Sequence, residues 1–98
     1  MSVLIDFAIF PVDKGTSVSP YVARVVAIIK QSGLDYSLGA MGTNIEGEWP
    51  SVMAVVNRCF EALQADCDRI YVTIKADYRK AAQNRLQGKI QSVEAKLL

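Results

Sequence analysis

The segment "MGTNIEGEW" places polar side chains at every second position. Asn44, Glu46 and Glu48 alternate there with residues such as Ile45 and Gly47, so one row of a predicted strand is polar where a sheet needs an apolar cover. A carboxylate beside apolar surface is stable only when it meets a cation or several hydrogen-bond donors. The pattern therefore predicts a partner opposite Glu46.

Two interpretations of Glu46 stay open. In the first it is structural and meets Arg24, Lys75, an arginine from a neighbouring subunit, or water at the sheet edge. In the second, Glu46 and Asp6 accept hydrogen bonds from a ligand that carries an amine or a positive charge. No nucleophile is coupled to the carboxylates of Glu46 and Glu48, so the row indicates binding rather than catalysis.

Three hydroxyl side chains, those of Thr16, Ser17 and Ser19, lie between the first predicted strand and the first predicted helix. They supply hydrogen bonds either to a ligand or to the turn and the helix N-terminus. A phosphate loop needs a glycine-rich motif that ends in Lys followed by Ser or Thr, and the sequence has none. Trp49, beside Pro50, either stacks on a flat heterocycle or packs as a hydrophobic staple at a helix start.

Histidine is absent, and the two cysteines, Cys59 and Cys67, are eight positions apart. This spacing fits neither a zinc site nor a thioredoxin-type motif. A Ser or Cys nucleophile would lack its usual general base. We therefore expect no enzyme activity, no cofactor, no metal site and two reduced structural thiols.

Charge is uneven along the chain, although the net charge is +1. From Lys75 onward, six Lys and Arg face two acidic residues, and this basic tail either binds phosphate or nucleic acid or forms the solvated face of a helix. Apolar runs are broken well before the roughly 18 residues that a membrane helix needs, and "MSVLIDF" lacks the features of a signal peptide. We expect a cytoplasmic protein without membrane contact.

Hydrophobic periodicity predicts seven elements in the order β-α-β-β-α-β-α. The first strand ends at Pro11, and the first helix follows an N-cap at Ser19, has Pro20 at its first helical position and closes at Gly33. Two short strands meet near Gly42. A second helix opens at Pro50 and Ser51, and "RIYVTIKA" is the fourth strand, with Ile70, Val72 and Ile74 directed inward.

A final helix is predicted from about residue 79 to the end, with a narrow seam formed by Leu86, Ile90, Val93 and Leu97. Such a seam is typical of docking on another helix or subunit. The whole pattern predicts one α+β domain over residues 1–98, a ferredoxin-like antiparallel sheet with both main helices on one face and an extra C-terminal helix. The uncovered face would show Leu4, Ala8 and Phe10 around Asp6, with Tyr71 and Thr73, and we expect an interface there.

The chain resembles the thiamine-binding protein family, formerly domain-of-unknown-function family 77 and uncharacterised protein family 0045. The segments "PVDKG", "MGT" followed by "IEGEW", and "IYVTIKADYR" carry the resemblance. It implies a ferredoxin-like fold, dimers joined through their sheets into tetramers and, in some members, binding of thiamine or its hydroxymethylpyrimidine part. It does not imply catalysis.

The residues and the resemblance together predict a non-enzymatic cytoplasmic binding protein for thiamine or hydroxymethylpyrimidine. An amide or carboxylate can meet the amine of the aminopyrimidine ring. The candidate ligand-binding residues are Thr16, Ser17, Thr43, Asn44, Glu46 and Asp6. We expect a homo-oligomer, with a tetramer as the expected size, and no nucleic-acid partner, because the central strand lacks the aromatic signature of RNA-binding sheets. The alternative is a structural or regulatory homo-oligomer without a small-molecule ligand.

Overall fold

The computed structural model describes residues 2–81 and 83–97, which contain four strands and three helices. The predicted α+β class and element order are confirmed. The elements in chain order are β1 (Val3–Pro11), α1 (Ser19–Gln31), β2 (Asp35–Leu38), β3 (Thr43–Gly47), α2 (Trp49–Gln64), β4 (Ile70–Tyr78) and α3 (Arg85–Glu94). No helix within this described part is long and apolar enough to cross a membrane.

The sheet is antiparallel with the order β2-β3-β1-β4. On one side β1 pairs with β3 only from Val3↔Gly47 to Phe7↔Thr43. On the other side it pairs with β4 along its whole length, to Pro11↔Ile70. Residues 8–11 therefore have β4 on one side and no strand of the described chain on the other.

The hydrophobic core lies between the sheet and the pair α1 and α2. Strand alternation sends every odd-numbered side chain of β1 into it, as the sequence predicts. Gly47 allows α2 to approach β3 closely, because a Cβ there would lie 3.1 Å from Leu34 Cδ2 and 3.3 Å from Val52 Cγ2. The core residues are Val3, Ile5, Phe7, Ile9, Val25, Ile29, Ile45, Val52, Val55, Val56, Cys59, Leu63 and Cys67.

The prediction that Ser19 caps α1 is wrong by one residue. Val18 is the N-cap, without a side-chain hydrogen bond, and its carbonyl accepts the backbone N–H groups of Tyr21 and Val22 at 3.0 Å each. Ser19 is already helical. Gly33, at φ +78°, follows the C-cap and closes the helix as predicted.

The polar row is shorter than the sequence suggests, because β3 ends at Gly47. Glu48 has extended backbone and is the N-cap of α2, and Trp49 is the first helical residue rather than part of a strand. The fixed φ of Pro50 suits the first turn of a helix, which explains why the helix begins here. Only Asn44 and Glu46 of the row belong to the sheet.

Strand β4 lies at the sheet edge, where α1 and α2 do not cover it. By register, Val72 and Ile74 are on the helix side of the sheet, opposite Ile9 and Phe7. Their exposed fractions are nevertheless 39% and 38%. The predicted inward direction of these side chains is correct, but they are only partly covered on that side of the sheet.

Helix α3 is much shorter than the predicted helix over residues 79–98. Strand β4 continues to Tyr78 because that residue still pairs with Val3. Ala81 and Asn84 then adopt positive φ angles of 63° and 55°, which a continuous right-handed helix does not allow. Leu97, the last residue of the predicted seam, lies beyond the end of α3.

Candidate ligand-binding site

The sheet face opposite α1 and α2 carries its polar side chains in two cross-strand rows. Antiparallel pairing sets residues of neighbouring strands directly opposite one another, so each row crosses the sheet. The first row consists of Asp35, Glu46, Leu4 and Asp77. The second consists of Ser37, Asn44, Asp6 and Lys75.

Glu46 lies in the first row and is only 5% exposed. Its carboxylate accepts hydrogen bonds from Ser2 Oγ at 2.9 Å and from the backbone N–H groups of Arg85 and Leu86 at 3.0 and 3.2 Å. Burial alone would raise the pKa of Glu46, but these donors outweigh it and lower that pKa below its ordinary value. Glu46 is therefore the N-terminal cap of α3, reached from a distant strand.

Neither cation that the sequence analysis considered for Glu46 contacts it. Arg24 links α1 to α2, with Nη1 3.0 Å from Asp66 Oδ2 and Nη2 donating to the carbonyl of Ala62 at 2.6 Å. Lys75 lies 3.5 Å from Asp6 Oδ2. The partner of Glu46 is thus a helix N-terminus, which was not among the partners predicted from the sequence.

Asp77, at the other end of the first row, is the second anchor of α3. Its carboxylate accepts hydrogen bonds from Arg85 and from Lys89 Nζ, the latter at 2.7 Å, and its carbonyl accepts Arg85 Nη1 at 3.1 Å. Lys89 and Arg85 together lower the pKa of Asp77. Since α3 has no buried residue of its own, these polar contacts position it on the sheet.

The second row is open to solvent and internally paired. Asn44 Nδ2 donates to Asp6 Oδ1 and to the carbonyl of Ile5, both at 3.4 Å, while Lys75 faces the other Asp6 oxygen. These long contacts leave the carboxylate of Asp6 accessible, with its side chain 46% exposed. Asp6 and Asn44 thus lie together, one row away from Glu46.

An apolar pocket of about 200 Å³, which we call the sheet-end pocket, opens where β1 extends past the β2–β3 hairpin. One wall is the part of β1 that β3 does not pair, another is the hairpin turn, and α1 covers the top. The lining residues are Phe7, Ala8, Ile9, Phe10, Val18, Val22, Val25, Val26, Leu38, Gly39, Ala40, Met41, Gly42 and Thr43.

The structure divides the six predicted site residues between different places. Thr43 lines the sheet-end pocket and is 5% exposed. Thr16 and Ser17 are exposed and directly precede Val18, which lines the same pocket. Asp6 lies behind the hairpin turn, because a Cβ on Gly42 would come within 3.2 Å of Asp6 Oδ1.

Sequence reasoning missed the pocket itself, since its walls are apolar residues that read as ordinary core. The observed strand lengths locate the pocket. Strand β1 has nine residues and β3 has five, so part of β1 lacks a partner on that side.

Two further features limit the chemistry of the described residues. A polar cavity of about 220 Å³ lies under α3 and includes Asp35, Tyr36 and Glu46, but Glu46 already accepts three hydrogen bonds from this chain. Within residues 2–81 and 83–97, no group of three or more His, Cys, Asp or Glu side chains could hold a metal ion. Burial raises the pKa of Cys59 to about 11, so its thiol is protonated and inert at neutral pH.

Comparison with known proteins gives consistent matches over nearly the whole chain. Residues 5–94 match the family described as "Thiamine-binding protein". The UPF0045 protein Mb1933 of Mycobacterium bovis is 38% identical over 99 residues, covering 100% of this chain and 97% of that protein.

Solved structures agree with the fold. The crystal structure of the hypothetical protein MJ1052 from a Methanocaldococcus species superposes with a TM-score of 0.88 at 29% identity, covering 95% of this chain and 96% of the other. A Thermotoga maritima protein described as a candidate for thiamine biosynthesis or salvage gives a TM-score of 0.84, covering 95% and 99% of the two chains. Its identity is 19%, so it supports the fold alone.

Proposed function

Because this chain belongs to the thiamine-binding protein family, we propose that it binds thiamine, or the hydroxymethylpyrimidine part of thiamine, without catalysing a reaction. The compartment we propose is the cytoplasm, which agrees with two free, buried cysteines. The site we propose is the sheet-end pocket.

The observation that carries this proposal is the unpaired edge of β1 inside the pocket. Along residues 8–11, the backbone groups that point away from β4 have no strand partner in the described chain, and such groups require hydrogen bonds. An aminopyrimidine offers an amine donor next to a ring-nitrogen acceptor. It can therefore bond to a strand edge as a neighbouring strand would.

Size and polarity support one ring in the pocket. A cavity of roughly 150 Å³ holds benzene, so about 200 Å³ suits a single substituted pyrimidine. Val22, Val25 and Val26 would pack against the face of the ring. The cationic thiazolium of thiamine would then project outward, towards Thr16 and Ser17 at the entrance.

In this site Thr43 would contact the ligand directly, and Asp6 would supply a negative charge behind the hairpin turn. Asn44 would act through Asp6, to which its amide donates. Glu46 is the exception, since its hydrogen bonds to α3 occupy its carboxylate. We therefore propose a structural role for Glu46 rather than contact with the ligand.

Titration calorimetry with hydroxymethylpyrimidine and thiamine tests the proposal. Val22→Phe should fill the pocket and weaken binding by at least about tenfold, because a well-packed site does not accept extra volume. Val12→Phe is the matched control, since Val12 is 44% exposed and lies outside the pocket lining. No heat with either ligand in the wild type would refute the ligand, and equal affinity in Val22→Phe would refute the site.

We also propose a homo-oligomer, with a tetramer as the expected size. Nine residues of β4 form an exposed edge with Tyr71, Val72, Ile74 and Tyr78 uncovered. Long exposed strand edges are templates for pairing with another chain. This edge equally supports the alternative, an oligomer with no small-molecule ligand, which the calorimetry separates from the first proposal.

A further inference from the structure

A basic groove of about 750 Å³ runs between the end of β4 and helix α3. We call it the α3 groove. Among the described residues, its lining includes four cationic side chains and no carboxylate. The residues are Arg79, Lys80, Ala81, Gln83, Asn84, Arg85, Gly88, Lys89, Ser92 and Val93.

The positive charge of the α3 groove is only partly balanced by the protein. Asp77 pairs with both Arg85 and Lys89. Arg79 and Lys80 make no ion pair with any carboxylate of residues 2–81 and 83–97. Of the four cations in this concavity, two thus share the carboxylate of Asp77 and two have no ion-pair partner among the described residues, so a bound anion would relieve their mutual repulsion.

The backbone keeps this concavity open. Ala81 and Asn84, which have positive φ angles, lie between β4 and α3, and Arg79 and Lys80 line the same groove as α3. Gly88 lines the groove from the helix, and apart from its chain neighbours and the nearby backbone of α3 no atom lies within 4 Å of the position where its Cβ would be. Glycine in a helix interior lowers the stability of the helix. At position 88 it leaves space in the groove while making α3 less stable.

We infer that the α3 groove binds the phosphate group of a small phosphate ester or diphosphate. Arginine forks match phosphate oxygens, and lysine adds a point charge. A volume of about 750 Å³ lies within the usual range for small-molecule sites. The inference does not depend on the ligand of the sheet-end pocket, which shares no lining residue with the groove.

A long polyanion fits this surface less well than a small phosphate. Nucleic-acid sites for single strands need aromatic side chains for base stacking, and none lines the α3 groove. The residues before Lys75 carry eight Asp and Glu against five Lys and Arg. The net negative charge of those residues would repel a nucleic-acid strand that extends beyond the groove.

The test is titration of the full chain with pyrophosphate, at about 50 mM salt so that ionic contacts are not screened away. The double variant Arg79→Ser with Lys80→Ser should weaken pyrophosphate binding by at least about tenfold. Neither side chain anchors α3, so the fold should be retained. The matched control is Lys14→Ser with Lys30→Ser, two cations outside the groove, and its affinity should equal that of the wild type.

Gly88→Leu provides a second variant that changes no charge. It should fill the open space, weaken pyrophosphate binding and preserve the helix signal in circular dichroism. Absence of binding in the wild type, equal loss in the Lys14 and Lys30 control, or full affinity in Gly88→Leu would each overturn the inference. Binding of a single-stranded oligonucleotide in preference to pyrophosphate would overturn it too, by making the groove a nucleic-acid surface.

Discussion

At the scale of single residues, Glu46 shows how a carboxylate is retained on a mostly apolar sheet. It is fixed by three hydrogen bonds, two of them from the first turn of α3. An anion at a helix N-terminus is also favoured by the helix dipole. The presence of Glu46 in the polar row is thus explained by α3, which begins 39 positions later in the chain.

Glu46→Gln should lower the free energy of unfolding by about 1 kcal/mol at neutral pH, because a neutral amide accepts N–H groups less strongly than a carboxylate. The pKa of Glu46 is lowered in the folded state. Its charged form therefore stabilises the fold above the unfolded-state pKa of glutamate, and this contribution disappears as pH falls through the folded value.

Urea unfolding of wild type and Glu46→Gln over a pH series measures this effect. The difference between the two proteins should shrink towards acid pH. A difference that is constant with pH would show that the charge of Glu46 is not what stabilises α3.

The two thiols should be unreactive in the folded protein. Burial raises the pKa of Cys59 to about 11 and also raises that of Cys67, and the thiolate is the reactive form. We expect a colorimetric thiol reagent at about pH 8 to label neither cysteine until urea unfolds the chain. Rapid labelling of one thiol under native conditions would contradict this.

At the scale of elements, α3 is held by polar anchors rather than by a buried face. Asp77→Asn removes the charge that binds Arg85 and Lys89, so the backbone amides of α3 should exchange hydrogen faster while those of β1 keep their protection. Hydrogen exchange with mass spectrometry measures both elements at once. Asp68→Asn, remote from α3, is the matched control and should exchange like the wild type.

Local sequence patterns were sufficient to predict the elements whose buried face follows from hydrophobic periodicity alone. Phe7 in the apolar alternation of β1 and Ile29 in the apolar stripe of α1 are both buried. The predictions that failed concern contacts with parts of the chain that are distant in sequence. Whether Val72 is covered depends on β4 being the edge strand, and the partner of Glu46 depends on where α3 docks.

The candidate site was predictable only in part for the same reason. Of the candidate site residues only Thr43 lines the sheet-end pocket, while Thr16 and Ser17 precede Val18, which lines it too. The pocket walls carry no chemical signature, because valines in a helix stripe look the same whether they face a core or a cavity. Side-chain chemistry therefore indicated one lining residue, Thr43, and strand lengths were needed to find the interior.

At the scale of the whole molecule, the exposed β4 edge predicts self-association. Light scattering at micromolar concentration should give a mass that is a multiple of 10.8 kDa. Ile74→Lys, at an exposed position of β4, should reduce that mass, since charged residues protect strand edges from pairing. A wild-type mass equal to one chain would refute the oligomer.

Ile90→Asp tests whether the exposed residues of α3 also contribute to assembly. Ile90 is 57% exposed, so a charge there costs little in a monomer but several kcal/mol in a docked seam. We expect this variant to lower the mass in the same assay while the unfolding midpoint of the domain stays nearly unchanged. An unaffected assembly would place α3 outside the interface.

The register of β1 also constrains how the protein is made. Strand β1 leaves the ribosome before the other three strands of the sheet and is a central strand, yet its partner along its whole length, β4, ends only at Tyr78. Pairings between distant segments form late and leave apolar strands uncovered meanwhile. During synthesis, Val3 to Pro11 must therefore wait for most of the chain, and a ribosome that stalls before residue 70 would display that strand with one side unpaired.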